Sequence, residues 1–160
     1  MTLQTTVQGT GAPVTIDRDE QVRIIGERIN PRPESDLAEA LADGNLDPVR
    51  ELAAEQVENG ADLIDINVDV DGVDKDAILP AAVEAVAEEV AAPIVIDTNY
   101  EDADALEAAL EVAPGKPVVN SFSMEAASSE AILPLVAEYD TAVIGLTMDE
   151  AGPPDDAETR

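Results

Sequence analysis

Leu63-Ile64-Asp65-Ile66-Asn67-Val68 is the stretch on which the fold turns. It is too short for a buried helix. Its Leu, Ile and Val content is that of a strand. A short run of this kind suits a strand covered on both faces, as in a parallel sheet. The same pattern recurs at Val22–Gly26, Pro93–Ile96, Val118–Val119 and Ala142–Met148. Between the runs lie Ala/Glu-rich stretches with helical spacing. Asp47-Pro48 reads as N-cap and first-turn proline of a helix with a Leu52, Ala53, Val57 stripe, ended by Gly60. Leu79, Val83 and Val86 line the next helix, with Glu84, Glu88 and Glu89 on its exposed side. Leu106, Ala109 and Leu110 line a third, and Ile132, Leu135 and Val136 a fourth, where Pro134 predicts a kink or a later start. Strand–helix alternation of this kind is the signature of an α/β fold. Residues 1–20 read as a polar lead-in with one short strand at Val14–Ile16, and residues 21–160 as the α/β domain.

The strand ends carry the functional signal. They are Glu27-Arg28-Ile29-Asn30, Asp65-Ile66-Asn67, Asp97-Thr98-Asn99, Asn120-Ser121 and Thr147-Met148-Asp149. Parallel α/β folds bind ligands at the carboxyl ends of their strands, so these residues are expected on one face. A set of carboxylates and carboxamides offers paired donors and acceptors, which suits a planar heterocycle with N–H groups and a carbonyl. A single Asp or Asn at a strand end is as often the cap of the following helix. Asp97, after Ile94-Val95-Ile96, and Asn120, after Val118-Val119, lean toward function because they should be partly desolvated. Asp65 sits two residues inside its tip and reads equally as structural. Asp69, Asp71, Asp74 and Asp76 read as a solvated loop that a divalent cation could visit. Glu101, Asp102 and Asp104 read as the acidic first turn of a helix.

Composition narrows the classes. The 160 residues are 45% hydrophobic, enough for one core. There is no His and no Cys, so no Ser–His or Cys–His nucleophile can be built, and zinc is not expected. No Gly-rich phosphate loop is present. The 36 acidic residues against 8 Lys plus Arg give a formal charge of −28, which repels nucleic acid and anionic membranes. The regular apolar segments argue against disorder, so the charge reads as a surface suited to molar salt, of halophilic type. No apolar run is long enough to span a bilayer, the first residues do not resemble a signal peptide, and cysteine is absent. A cytoplasmic location is the expectation.

At the strand tips the sequence resembles the methyltetrahydrofolate:corrinoid methyltransferases, pterin-binding enzymes that share their outline with the folate domain of cobalamin-dependent methionine synthase. Ile25-Gly26-Glu27-Arg28-Ile29-Asn30 is similar to the family's opening motif. Gly60-Ala61 with Ile64-Asp65-Ile66-Asn67-Val68 and Asp74-Lys75 resembles the second-strand motif. Ile96-Asp97-Thr98-Asn99, Val119-Asn120-Ser121 and Ile144-Gly145-Leu146-Thr147-Met148 resemble the third to fifth. Gly152, Pro154 and Thr159-Arg160 resemble the loop that follows. The resemblance covers Arg23 to Arg160. It implies the first five β/α units of a TIM (β/α)8 barrel, incomplete at the C-terminus. Its pterin would lie at the carboxyl face, and its N5-methyl group would pass to a corrinoid (cobalamin) carried by a partner protein. Asp97 and Asn120 match positions that hydrogen-bond the pterin. Asp65, Asn67, Asn99 and Ser121 match the neighbouring tips, and Glu27, Arg28 and Asn30 match the first loop.

Further family groups lie on later strands that this sequence does not contain. The expectation is therefore a fragment, a split or self-associating barrel, or a chain completed by a second subunit. Two other readings stand beside the methyltransferase. One is a dihydropteroate synthase-like enzyme, disfavoured because Glu27-Arg28-Ile29-Asn30 and Asn67-Val68-Asp69 stand where that family carries different loops. The other is a pterin-binding module without catalysis.

Overall fold

A two-stranded antiparallel hairpin, β1 (Gln4–Val7) and β2 (Val14–Asp17), precedes five strands that pair in parallel and in chain order. The computed structural model describes residues 4–157. The five strands are β3 (Ile25–Ile29), β4 (Leu63–Ile66), β5 (Ile94–Asp97), β6 (Val118–Phe122) and β7 (Ala142–Gly145). Helices α1 (Asp36–Ala42) and α2 (Asp47–Glu58) connect β3 to β4. Then α3 (Lys75–Glu89), α4 (Ala103–Val112) and α5 (Ala126–Glu138) make one crossover each. The expected α/β class with a parallel sheet is what forms.

Side-chain alternation divides the sheet into two faces. Ile64, Ile66, Ile94, Ile96 and Val119 point to the helices and share a core with Leu79, Val83, Val86, Leu106, Leu110 and Ile132. Leu63, Val95 and Val118 point the other way and close over Val7 of the hairpin, with Val14, Ala142 and Ile144 at the margin. Both faces of the amino halves of the central strands are thus buried, which is why Leu63-Ile64, Ile94-Val95-Ile96 and Val118-Val119 read as unbroken apolar runs.

The hairpin lies beneath the amino ends of the strands. The Gln8 N–H donates to Lys116 O (3.0 Å) and the Lys116 N–H to Gln8 O (2.8 Å). Arg23 ties β2 to the foot of β4, donating to Thr15 O and pairing with Asp62. The sequence reading expects one short strand in this region. β1 is additional, and only one of its side chains, Val7, is buried.

Several boundaries differ from the expected ones. The first parallel strand begins at Ile25, because Val22 and Ile24 face outward (81% and 55% exposed) and the anchor is Ile29, fully buried. Glu27 and Arg28 therefore stand within β3, at an irregularity in its register with β4, and not beyond its end. β6 runs on to Phe122, and β7 stops at Gly145, short of Met148. Leu46, not Asp47, is the N-cap of α2, and the Asn45 side chain accepts from the Asp47 N–H. The short helix α1 was not expected. Ser35 caps it by accepting from the Ala38 N–H. Pro134 lies inside α5, which starts well before it, so the later-start reading fails. Tyr100–Asp102 form a 3-10 turn ahead of α4, for which Asp102 is the N-cap residue.

Candidate functional site

The inner face changes character along the strands. Its amino half is apolar, with Leu63, Val95 and Val118 over the hairpin. The next positions in the same alternation are Asp65, Asp97 and Asn120, with Asn67 just past the end of β4. Two crossed hydrogen bonds join them. Asn120 Nδ2 donates to Asp65 Oδ2 at 3.0 Å, and Asn67 Nδ2 donates to Asp97 Oδ2 at 2.9 Å. Each carboxamide is held by a carboxylate from another strand, leaving part of each group's hydrogen-bonding capacity free.

Burial dominates the electrostatics. Asp65 is 1% exposed, and its Oδ1 has no hydrogen-bond partner among the described residues. Its pKa is pushed up to about 7, first by burial and further by the charges of Asp97 and Glu27, against the lowering effect of the Asn120 bond. The Asp97 pKa is also raised, mainly by burial, with Glu27 and Asp69 adding repulsion and the Asn67 bond opposing it. Carboxyl groups arranged to hold a proton near neutrality are more frequent in functional sites than elsewhere.

Around this pair runs a second network in the loops after β4 and β5. Asp69 accepts from Asn99 Nδ2 (2.6 Å) and Lys75 Nζ (2.9 Å), and Lys75 also reaches Asp102 (2.6 Å). The Asp69 N–H donates to Asn67 Oδ1 at 2.7 Å, which links the loops to the Asn67–Asp97 bond. The Lys75 pKa is raised, chiefly by its hydrogen bond to Asp102. Asp69 is thus engaged by three partners, while it, Asp71, Asp74 and Asp76 are all exposed, as expected of a solvated stretch. Among the described residues no group of three or more acidic side chains is placed to hold a metal ion. A cavity of about 750 Å³ lies at the tips of β6 and β7, lined by Phe122, Met124, Leu146 and Thr147 among others.

A comparison with known proteins gives this geometry a family. The pterin binding enzyme family matches residues 26–159. The chain belongs to the pterin-binding enzyme family. It is 31% identical over 140 residues to methionine synthase of Mycobacterium tuberculosis (strain ATCC 25618 / H37Rv), covering 84% of this chain and 12% of the relative. It is 29% identical over 157 residues to methionine synthase of Mycobacterium leprae (strain TN), covering 95% of this chain and 13% of the relative. The chain thus spans only a small part of the length of these relatives. Within the pterin-binding family, the five sequential parallel strands and their helices are part of a TIM barrel.

Of the residues singled out in the sequence, Asp65, Asn67, Asp97 and Asn120 come together on one face. Glu27 is close enough to raise the pKa of both buried aspartates. Asn99 stands one step away, in the loop network. Ser121 is half-buried, and its side chain makes no hydrogen bond among the described residues. Asn30 is exposed and lines a separate recess of about 520 Å³ with Glu27, Arg28 and Arg32. Thr159 and Arg160 lie outside the described residues.

Sequence reasoning missed Lys75, Asp69 and Asp102 as one network. The usable signal was that Lys75 is one of only two lysines in so acidic a chain. It also missed Gln56, buried at 6%, whose side-chain oxygen accepts from the Arg28 N–H at 2.7 Å. Gly26 makes room for that contact, since a Cβ there would lie 2.7 Å from the Gln56 oxygen.

Proposed function

We propose that this chain binds a methyl-pterin, such as methyltetrahydrofolate, in an enzyme that moves the N5-methyl group to a corrinoid on a partner protein. The observation that carries the reading is the pair of crossed bonds, Asn120 to Asp65 and Asn67 to Asp97, at the carboxyl end of the sheet. A pterin presents a coplanar row of N–H donors with a neighbouring carbonyl, and the free atoms of Asp97 and Asn120 offer acceptors and a donor to match. The methionine synthase relatives point to the same class of ligand. The corrinoid supplies the nucleophilic cobalt from its own protein.

This chain's share is to hold the ring still and to meet the charge that develops on N5 as the methyl group departs. A tertiary amine leaves poorly. Fixed polar groups that need no reorganisation lower that barrier, and so does a group able to hold a proton near neutral pH. Asp65 and Asp97 have raised pKa values in a site of this kind.

Calorimetric titration of the chain with methyltetrahydrofolate in molar salt tests the reading. Saturable binding that Asp97→Ala abolishes is the expected result. Binding unaffected by that change would place the pocket elsewhere. A corrinoid methylation assay then addresses transfer. No condensation with p-aminobenzoate is expected.

A further inference from the structure

Packing does not explain Asp65. Its side chain lies between the fully buried residues Ile64 and Ile66 in sequence, on the inner face over Leu63, and is 1% exposed with Oδ1 unpartnered among the described residues. An apolar residue of similar size would fill the same space without burying an unsatisfied acid. The other oxygen has one partner, Nδ2 of Asn120 at 3.0 Å.

That single contact decides what Asn120 shows to a ligand. A carboxamide has a donor end and an acceptor end. With one Nδ2 hydrogen held by Asp65, Oδ1 is the end left wholly free, beside the remaining Nδ2 hydrogen. Turned over, Asn120 would set its Oδ1 against Oδ2 of an ionised Asp65, placing two acceptors within hydrogen-bond range. Protonation of Asp65 removes the conflict, because its O–H can then donate to Asn120 Oδ1. The groups around Asp65 bring that protonation within reach. Glu27 from β3 and Asp97 from β5 repel its charge, and among the described residues Asn120 from β6 is its one hydrogen-bond partner. Before it on the same face lie the apolar Leu63, Val95 and Val118, closed over Val7.

We propose that Asp65 is a positioning residue that sets which end of the Asn120 carboxamide faces the ligand. While Asp65 is ionised, the pocket selects a heterocycle with an N–H at that point. Once Asp65 is protonated, it selects one with a carbonyl or an unprotonated ring nitrogen there. The identity of the heterocycle rests on the pterin reading given above; the coupling of Asp65 to Asn120 does not.

The first arm of the test needs no ligand. In the isotopically labelled chain, the Asn120 side-chain amide signal, assigned by its loss in Asn120→Ser, is followed by NMR across the neutral range. It should shift with the same midpoint as the Asp65 carboxyl carbon, and the shift should vanish in Asp65→Asn. An Asn120 signal that stays flat while Asp65 titrates overturns the proposal.

The second arm separates positioning from folding. Asp65→Leu removes the buried acid and should melt higher than the unchanged chain at mildly alkaline pH. Its affinity for methyltetrahydrofolate should nevertheless fall about tenfold, the value of one well-oriented hydrogen bond. Unchanged affinity overturns the proposal. Should Asp65→Leu fail to fold, Asp65→Asn carries the comparison: its affinity should lose the pH dependence that the unchanged chain shows near neutrality. If the unchanged chain takes up no methyltetrahydrofolate, the pterin reading fails, and the NMR arm still decides the role of Asp65.

Discussion

Asp65 and Asp97, with pKa values raised by burial, make the stability of the fold depend on pH. A carboxyl group whose pKa is raised on folding holds its proton at pH values where the unfolded chain has lost it. The folded state therefore binds more protons between the two pKa values, and stability falls as pH rises through that window. For Asp65 the window runs from the ordinary carboxylate value of 3.8 to about 7. The loss is on the order of 4 kcal/mol once the group is fully ionised. Denaturant unfolding in molar salt should accordingly show the unchanged chain weakening from mildly acidic to mildly alkaline pH. Asp65→Asn should flatten most of that slope, and an identical slope in both proteins would remove Asp65 as its source. Asp97 is the stronger test of binding. Asp97→Asn keeps the shape but replaces a charged acceptor, so affinity for a methyl-pterin should drop about 30-fold or more by calorimetry. Equal affinity would mean that Asp97 does not touch the ligand. The partial burial of Asp97 was legible in sequence, because it closes the wholly apolar Ile94-Val95-Ile96. Asp65 was ambiguous, because Ile66 follows it and a strand interior is an equally natural place for a structural acid. Its partner Asn120 stands far along the chain, on a strand that does not even pair with β4, and no local pattern reports that contact.

The elements were legible where burial repeats along them and obscure where single contacts define them. The inner strands β4 and β5, and helices α3 and α4, follow from runs of residues buried in register. β3 was displaced because the exposed Val22 and Ile24 look like core, whereas Glu27 and Arg28 look like a loop. The hairpin was half missed because the polar residues of β1 offer no apolar alternation, and its anchor is one valine under three strands. What holds the hairpin at the barrel's foot is a close backbone approach. Gly115 has φ +72°, and a Cβ there would lie 2.4 Å from Gln8 O. Gly115→Ala should therefore destabilise by about 2 kcal/mol or more, combining an unfavourable backbone conformation with a clash against a main-chain atom. Gly44, with φ +70° but open space around it, makes the control. Gly44→Ala should cost only about 1 kcal/mol. Hydrogen exchange distinguishes the two: the amides of Gln8 and Lys116 should lose protection in the Gly115 variant alone. Equal protection in both would show that the bridge between these residues does not depend on Gly115.

At the scale of the whole molecule, charge and apolar surface pull in different directions. A formal charge of −28 over 160 residues repels itself in the compact state. Against this stand few cations, and the best placed, Lys75, bridges Asp69 and Asp102 across two loops. Added salt screens both effects. The Debye length shrinks from about 10 Å at 0.1 M to about 3 Å at 1 M, so repulsion spread over the surface is lost. The Lys75 contacts, at 2.6 and 2.9 Å, are shorter than even the smaller length and only partly exposed, so they weaken less. The net expectation is that the urea midpoint rises steeply with potassium chloride, while Lys75→Met lowers it by a similar step at every concentration. A complication comes from the edges of the sheet. β3 and β7 each pair on one side only among the described residues, and Ile24, Ile25 and Leu146 are exposed beside them. Salt also strengthens association through such surface, and self-association alone would raise the midpoint. Repeating the titration over a wide range of protein concentration resolves the two causes. A midpoint that rises with salt but not with protein concentration identifies screening of the acidic surface. One that rises with both identifies association through the open edges. A midpoint insensitive to salt would mean that the acidic residues are too far apart, or too well hydrated, for their repulsion to limit the stability of the fold.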